Sequence, residues 1–221
     1  MALVANCTSD DGPYRVETAR FVKWCEENFL ELNVTKTKEL ITDFRISEVE
    51  HQPLYINNEP VETVHEYKYL GTIIDDKFNF TQNVQAIHKK VHSRVFFLRQ
   101  LRKLHLDDSI LKLFYTSVIQ SVISFSITCW FGNSTQEATN RLNRVIETCK
   151  RLGASNASTL KDIYEKCVLQ RTVVIRADTS HPLNSQYQLL PSGRRLRSIK
   201  CRTTRYSNTF IPASIKALNR R

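Results

Sequence analysis

Pairs of adjacent carboxylates are the first residues in this chain that could do chemistry. Asp10-Asp11, Asp75-Asp76 and Asp107-Asp108 are such pairs, and paired carboxylates can hold the Mg²⁺ ions that bridge attacking and leaving oxygens in phosphoryl transfer. Adjacency alone is a weak signal. The first pair precedes Gly-Pro in a predicted turn, and the other two lie at the end of a strand and at the start of a helix. Helix capping or solvation is the favoured interpretation, so we expect no metal site.

Two histidines have the spacing of a metal-binding pair. His88 and His92 are four residues apart on one face of a predicted helix, which suits two ligands of a transition metal. No third ligand lies near them in the sequence, and Lys89 and Lys90 stand between them. A solvated basic face is therefore the favoured interpretation.

Two short segments of the first third could contact phosphate or another chain. Lys36-Thr37-Lys38 is a basic pair between a predicted helix and a predicted strand. Tyr67-Lys68-Tyr69-Leu70-Gly71 is an aromatic and basic strand that ends in glycine, whose missing side chain lets a backbone approach closely. Neither a glycine-rich phosphate loop nor a Ser-His-Asp arrangement is recognisable in the sequence.

Hydrophobic patterning predicts the elements that position these residues. In the first third, apolar residues recur at helical spacing over residues 16–29, and Asn33 is predicted to end this helix. Aromatic and β-branched runs between turn residues predict short strands. The predicted strands are residues 38–44, 54–56 and 67–74.

From Thr81 onward the pattern is helical. A short heptad stripe comes first, in which Arg94 takes one apolar position. Its apolar members are Val84, Ile87, Val91, Leu98 and Leu101. Further helices are predicted at 107–130, from a capping-box pattern at Ser134 to a stop at Gly153, and at 159–175. The predicted fold class is α+β, predominantly α: β-hairpin structure in the N-terminal third, then a helical bundle and a basic irregular tail.

The charge distribution points to a polyanionic partner. Of 32 Lys and Arg and 22 Asp and Glu, residues 101–221 carry 20 basic and 7 acidic side chains. Basic side chains that neutralise phosphates release condensed counterions, so this half is expected to bind nucleic acid. Residues 189–221 hold nine basic side chains and no acidic one, which is typical of either a solvated tail or a binding arm. Six cysteines without a CxxC pair predict reduced thiols and an intracellular protein, cytoplasmic or nuclear.

Several groups of residues follow one another in a recognisable order. They are Trp24-Cys25, Leu30-Glu-Leu32-Asn33-Val-Thr-Lys36-Thr37-Lys38 and Asp43-Phe44-Arg45; Val64-His-Glu-Tyr67-Lys68-Tyr69-Leu70-Gly71; Phe114-Tyr115 and Cys129-Trp130-Phe131-Gly132; and Asp178-Thr-Ser-His181-Pro182-Leu183, Leu190-Pro191-Ser192-Gly193-Arg194-Arg195 and Phe210-Ile211-Pro212. In that order they resemble the fourth palm motif, the primer-grip hairpin, the thumb helices and the end of the reading frame of LINE-type (non-LTR) retrotransposon reverse transcriptases.

This resemblance implies a partial palm at residues 1–78, a helical thumb-like domain at 79–177 and a basic C-terminal tail at 178–221. It also implies that Lys36 contacts the phosphates of an incoming nucleotide and protonates the leaving pyrophosphate. By the same resemblance, Tyr69, Leu70 and Gly71 hold the primer 3′ end. Charge alone adds further candidates for nucleic-acid binding: Arg94, Arg99, Arg102 and Lys103 in the thumb, and Arg194, Arg195 and Arg197 in the tail.

The departures from that family set the expected function. The aromatic-Ala-Asp-Asp hairpin and a further upstream aspartate are missing from the sequence, and two-metal catalysis needs those carboxylates. We expect a truncated remnant that binds RNA or an RNA–DNA hybrid without polymerising, and that is not an enzyme. No cofactor is expected, because the Mg²⁺ ligands of the intact family are missing. No small-molecule substrate or membrane partner is expected, and the uncharged run 113–136 is too polar for a confident membrane span.

Two other functions are left open. A helical protein-interaction module would use the heptad face between Val84 and Leu101. The helices at about 111–153 resemble an N-terminal segment of AlkB-homologue proteins, which belong to alkylated nucleic-acid repair dioxygenases and tRNA methyltransferases. His105, Asp107 and His181 match the ligand order of an iron dioxygenase, but they lie at a predicted helix start instead of on strands, so we expect no iron site.

Overall fold

Two compact units make up the chain. A computed structural model describes residues 2–5, 11–45 and 51–220, and the units are Met1–Lys77 and Phe78–Arg221. The structure is 56% helical with few short strands, which confirms the predicted fold class. Residues 1–77 carry 8 basic and 15 acidic side chains, a net charge of −7, whereas residues 78–221 carry 24 and 7, a net charge of +17. The excess positive charge therefore belongs entirely to the C-terminal unit.

The N-terminal unit, over its described residues, combines one α-helix with three small sheets. The helix is α1 (Gly12–Glu27), and Pro13 suits its first turn because the N–H groups there have no helical acceptor. A 3₁₀ turn (Val34–Lys36) leads into the strands. These are β1 (Lys38–Glu39), β2 (Tyr55–Ile56), β3 (Glu59–Pro60), β4 (Glu62–Thr63), β5 (Glu66–Tyr69) and β6 (Thr72–Asp75). β1 pairs in parallel with β4, while β2 with β3 and β5 with β6 form antiparallel hairpins.

Both hairpins turn through residues with a left-handed backbone. Asn57 and Asn58 have φ angles of 51° and 65°, and Leu70 and Gly71 have φ angles of 46° and 88°. Positive φ at both central residues is the geometry of a type I′ turn, whose twist matches that of the flanking strands. The predicted strand 67–74 is therefore a hairpin with its turn in the middle.

Two elements of this unit are shorter than predicted. Of residues 38–44, only β1 finds a partner strand, and the rest has no regular structure. The first helix, which was predicted to end at Asn33, ends at Glu27 in a Schellman motif. Phe29 there has a φ of 56°, and the N–H of Leu30 donates to the carbonyl of Cys25 at 2.8 Å.

The heptad stripe forms the buried face of α2 (Thr81–Lys103), which confirms that prediction. Four of its apolar residues are buried: Val84, Ile87, Val91 and Leu98. This face therefore packs against the rest of the protein, and it cannot bind a separate partner as the alternative of an interaction module requires. Arg94 is half-buried in its apolar position, and its guanidinium donates a hydrogen bond to the carbonyl of Val118.

The helix predicted at 107–130 is interrupted. It divides into α3 (Asp108–Phe114), a π-helical segment (Tyr115–Gln120), α4 (Ser121–Ser124) and α5 (Ile127–Trp130). The Val118 carbonyl that accepts from Arg94 lies inside the π-helical segment, where a side chain competes for the helical hydrogen bonds. A break follows at Ser126, whose φ is 49°. The buried indole N–H of Trp130 donates to the carbonyl of Phe125 at 3.0 Å across this break.

Asp108–Asn133 is, within the described residues, the helical stretch whose length and composition would allow it to cross a membrane. Buried residues make up 28% of its most apolar window. Leu111, Tyr115, Ile119 and Trp130 within it are fully buried. A core helix passes the same test of length and composition, so one such stretch is weak evidence for a membrane span.

Local capping signals define the next two helices, α6 (Gln136–Arg151) and α7 (Leu160–Ala177). α6 begins one residue later than predicted, because Thr135 instead of Ser134 is its N-cap and accepts from the N–H of Ala138 at 3.2 Å. It ends in a Schellman motif around Gly153, whose φ is 110°. α7 opens with a full capping box between Thr159 and Asp162.

The C-terminal segment is irregular over most of residues 178–203, as predicted, but its last part is helical and packs against α7. It contains α8 (Thr204–Ser207) and α9 (Phe210–Asn219). Ile215 of α9 forms a buried cluster with Ile175, Tyr187 and Leu196. The apolar residues between the arginines drive this packing. The prediction considered only the charge of the segment and so did not include them.

Candidate nucleic-acid interface

A groove between α2 and α6 gathers basic side chains. Its volume is about 190 Å³, and no carboxylate lines it. The lining residues are His88, His92, Val95 and Arg99 from α2 and Arg141, Arg144, Val145 and Thr148 from α6. On each helix these residues follow the helical repeat and so share one face. We call this surface the α2–α6 groove.

Histidine 88 lies at one end of the groove. Burial lowers the pKa of His88 below the usual histidine value, and the charges of His92 and Arg141 lower it further. The rings of His88 and His92 are 6.1 Å apart between centroids. Near neutral pH His88 is therefore largely uncharged, and an anion bound in the groove would favour its protonated form.

A second depression continues the groove along α6. Its volume is about 470 Å³, and it shares Arg144 and Thr148 with the first. Arg151 adds a further cation, and the side chains of Asn140 and Asn143 add amide groups. One carboxylate, that of Glu147, also lines this depression, and it pairs with Lys150 at 2.6 Å. The basic surface thus extends along α6 from Arg141 to its last turn.

The arginines of this surface differ in whether a carboxylate neutralises them. Arg141 pairs with Glu137 at 2.6 Å within α6. In the part of the chain that the structure describes, Arg99, Arg144 and Arg151 form no ion pair with a carboxylate. These three guanidinium groups are exposed and available to an external anion.

The thumb cations named from charge occupy different positions. Arg99 lines the groove, and Lys103 is exposed in the last turn of α2. Arg102 pairs with Asp108 at 3.0 Å. Arg94 points its guanidinium at the carbonyl of Val118, so it belongs to the interior of the helical bundle and we leave it out of the candidate interface.

The C-terminal arginines lie on a folded loop. Arg194, Arg195 and Arg197 are exposed on either side of Leu196, which is buried and bridges to Leu189. The loop is closed by a hydrogen bond from the N–H of Leu190 to the carbonyl of Arg195 at 2.8 Å. These arginines are thus presented from a fixed backbone, and their contact with nucleic acid remains a prediction.

The residues assigned by resemblance lie in the N-terminal unit. Lys36 is exposed at the end of the 3₁₀ turn, where the side chain of Asn33 accepts from its backbone N–H at 2.9 Å. Tyr69, Leu70 and Gly71 form the exposed tip of the β5–β6 hairpin. The structure thus has a hairpin where the resemblance places one, and the roles of these four residues remain predictions.

Most of the paired carboxylates are used in local contacts. Asp75 accepts from the N–H of Lys77 at 3.1 Å, and Asp76 contacts His65 at 2.9 Å. Asp10 lies outside the described residues, so the first pair is not tested. No group of three or more His, Cys, Asp or Glu able to hold a metal ion occurs in residues 2–5, 11–45 and 51–220.

The α6 half of the surface was not found from the sequence. Arg141, Arg144 and Arg151 are separated by three and seven residues, a spacing that places them on one face of α6. That spacing is a usable signal. It predicts a groove only when α6 is known to pack beside α2, because each of these helices forms one wall of the groove.

Comparison with known proteins gives a partial match. Residues 80–121 match the family described as Alkylated DNA repair protein alkB homolog 8, N-terminal. No curated protein and no solved structure matches the chain. The predicted similarity to an AlkB-homologue segment is thus confirmed, but its position is corrected from about 111–153 to 80–121. Nothing in the comparisons supports the resemblance to reverse transcriptases. Over α2, α3 and the π-helical segment, about a fifth of its length, the chain is similar to the N-terminal segment of that AlkB-homologue family.

Proposed function

We propose that the C-terminal unit binds RNA or an RNA–DNA hybrid through the α2–α6 groove and the depression that continues it along α6, and that the chain does not polymerise nucleic acid. The observation that carries this proposal is the set of three exposed arginines without a carboxylate partner among the described residues, Arg99, Arg144 and Arg151. The net charge of +17 on residues 78–221 supports a polyanionic ligand.

The chemistry and the spacing of these cations suit the phosphates of a polymer. Guanidinium groups bind phosphate oxygens through two parallel N–H donors, and arginine is enriched wherever such contacts are made. Arg144 and Arg151 are seven residues apart, which places them about 10 Å apart along the helix. An extended series of cations suits a polymer of phosphates better than a single small anion.

A salt titration tests this function. Binding of a labelled RNA–DNA hybrid is measured by fluorescence anisotropy for the wild type and for the triple variant Arg99→Gln, Arg144→Gln, Arg151→Gln. Each phosphate contact contributes about 0.9 to the slope of log K against log salt on a duplex. The triple variant should therefore have a slope smaller by about 2–3.

A matched control separates the groove from net charge. Lys166, Arg171 and Arg176 are exposed on α7 and line neither depression. Replacing all three with Gln removes the same charge but should leave the slope within about one contact of the wild type. Equal effects of the two triple variants, or no measurable binding by the wild type at low salt, would refute the proposal.

The match at residues 80–121 favours a second candidate function. The family's description names a repair protein for alkylated DNA, so the second candidate function is the recognition of alkylated nucleic acid by this segment. Binding of the same oligonucleotide with and without N-methylated bases distinguishes the two candidates. At least tenfold tighter binding of the methylated form would support the second, whereas equal affinities would leave general phosphate binding as the function.

A further inference from the structure

A second stripe runs along α2, on a face other than the buried one. Its members are spaced alternately four and three residues apart, as the buried heptad residues are, but all of them are exposed. They are Gln85, Lys89, His92, Phe96, Arg99 and Lys103. His92 and Arg99 of this stripe also line the α2–α6 groove. The stripe therefore forms the outer border of the proposed binding surface.

Phe96 is the one apolar member of this basic stripe. Its side chain is 54% exposed, and it lies one helical turn from His92 on one side and from Arg99 on the other. Residues three and four apart on a helix have Cβ atoms about 5–6 Å from each other, so His92 and Arg99 flank Phe96 along the helix. Phe97 contacts the ring as a perpendicular neighbour, with centroids 5.6 Å apart, and helps to hold it in place.

Exposure alone does not make Phe96 unusual, since single apolar residues are common on protein surfaces. Phe125 is equally exposed, at 52%, but its neighbours in the chain are serines, not cations. What distinguishes Phe96 is an aromatic face with cations before and after it along the same stripe. That arrangement is how proteins bind single-stranded nucleic acids, with bases on aromatic rings and phosphates on the flanking basic groups.

We propose that Phe96 is a stacking platform for an unpaired base, and that the preferred ligand of the α2–α6 groove is a strand with unpaired nucleotides. This inference rests on the proposed function, because it needs the phosphates of the strand to lie on Arg99 and its neighbours. In a duplex the bases stack on one another and their faces are not available to a side chain. A single strand, or the unpaired end of a hybrid, can place one base on Phe96 without that cost.

The test compares three labelled probes with the full-length protein. The probes are a single-stranded oligonucleotide without self-complementarity, the same strand in a blunt duplex, and an abasic strand with the same number of phosphates. Phe96→Ala should weaken binding of the single strand by about 5- to 150-fold, the range for loss of one stacked base. Its affinity for the duplex and the abasic strand, and its salt slope, should match those of the wild type.

Two further variants connect the effect to the ring. Phe96→Trp keeps an aromatic face and should retain binding of the single strand, whereas Phe96→Leu keeps apolar bulk without that face and should behave like Phe96→Ala. Phe125→Ala, a phenylalanine of the same exposure, should bind as the wild type does.

The outcomes separate this inference from the proposed function. If Phe96→Ala binds the single strand as tightly as the wild type while the arginine triple variant loses its salt slope, the stacking platform is wrong and the phosphate-binding function stands. If Phe96→Ala weakens all three probes equally, the ring supports the surface without contacting a base, and the inference is also wrong. If the wild type binds no probe, both proposals fail.

Discussion

Removing one buried hydroxyl group should make the C-terminal unit more stable. Tyr115 begins the π-helical segment and is fully buried. Its hydroxyl group has no hydrogen-bond partner among the described residues, and burial, together with nearby Cys149, raises the pKa of the phenol. An unpaired buried hydroxyl costs about 1–3 kcal/mol relative to one in water. Tyr115→Phe removes that cost and leaves the ring in place, so the free energy of unfolding should rise by about 1–3 kcal/mol.

Tyr187 is the matched control because the same substitution should have the opposite sign there. It is also buried in the C-terminal unit, but its hydroxyl group lies 2.9 Å from the Oγ of Ser214. Ser214 keeps its own bond to the carbonyl of Ile211 after the change. Tyr187→Phe therefore removes one hydrogen bond without leaving a new unpaired group, and should lower the free energy of unfolding by about 0.5–1.5 kcal/mol.

The two tryptophans allow the C-terminal unit to be followed by itself. Trp130 is buried in this unit, whereas Trp24 is exposed in the N-terminal unit. In a Trp24→Phe background, tryptophan fluorescence during urea unfolding reports only the surroundings of Trp130. If Tyr115→Phe unfolds at the same urea concentration as its parent, or at a lower one, then the hydroxyl group is satisfied in solution and the reasoning is wrong.

Three further outcomes follow from named contacts. A Cβ on Gly132 would lie 2.0 Å from the backbone carbonyl oxygen of Asn208. Gly132→Ala should therefore destabilise the C-terminal unit by about 1–3 kcal/mol or more in urea unfolding, and unchanged stability would contradict this close approach. Thr159→Ala removes the capping box with Asp162 and should lower stability by about 1 kcal/mol in the same assay, an effect that Thr159→Ser should largely avoid. The pKa of His88 is lowered, so the free protein takes up a proton at this residue only at a pH below the usual histidine value, and bound phosphate stabilises the protonated ring. Affinity for nucleic acid should therefore rise as the pH falls from about 7 to about 5.5, and His88→Gln should make that rise smaller.

Elements set by local signals were predicted well. The heptad stripe of α2 and the stop of α6 at Gly153 each depend on a few residues close in sequence. The interruption of the helix before Trp130 was not predicted, because it involves a side chain from another helix. Arg94 donates to the carbonyl of Val118, 24 residues away, and no local pattern contains that contact.

The candidate site was predicted in part, for the same physical reason. Charge identified both Arg94 and Arg99, but the residues are five apart on a helix, which separates their directions by about 140°. Packing then decides their roles: Arg94 contacts the interior, and Arg99 lines the groove. The cationic wall from α6 required knowledge of which helices are neighbours, and net charge does not supply it.

The two stripes of α2 give this helix two roles in the C-terminal unit. One stripe, including Val91 and Leu98, is buried, while the other, including Phe96 and Arg99, is exposed and basic. Both repeat with the same 3-4 spacing, so each drifts by only about 20° per heptad around the helix and the two stay on separate faces. A substitution in the buried stripe would disturb the groove as well as the core, and its effect on binding could not be separated from unfolding. Only exposed positions such as Phe96 and Arg99 allow stacking and phosphate contact to be changed while the helix stays intact, so the two proposals are best tested there.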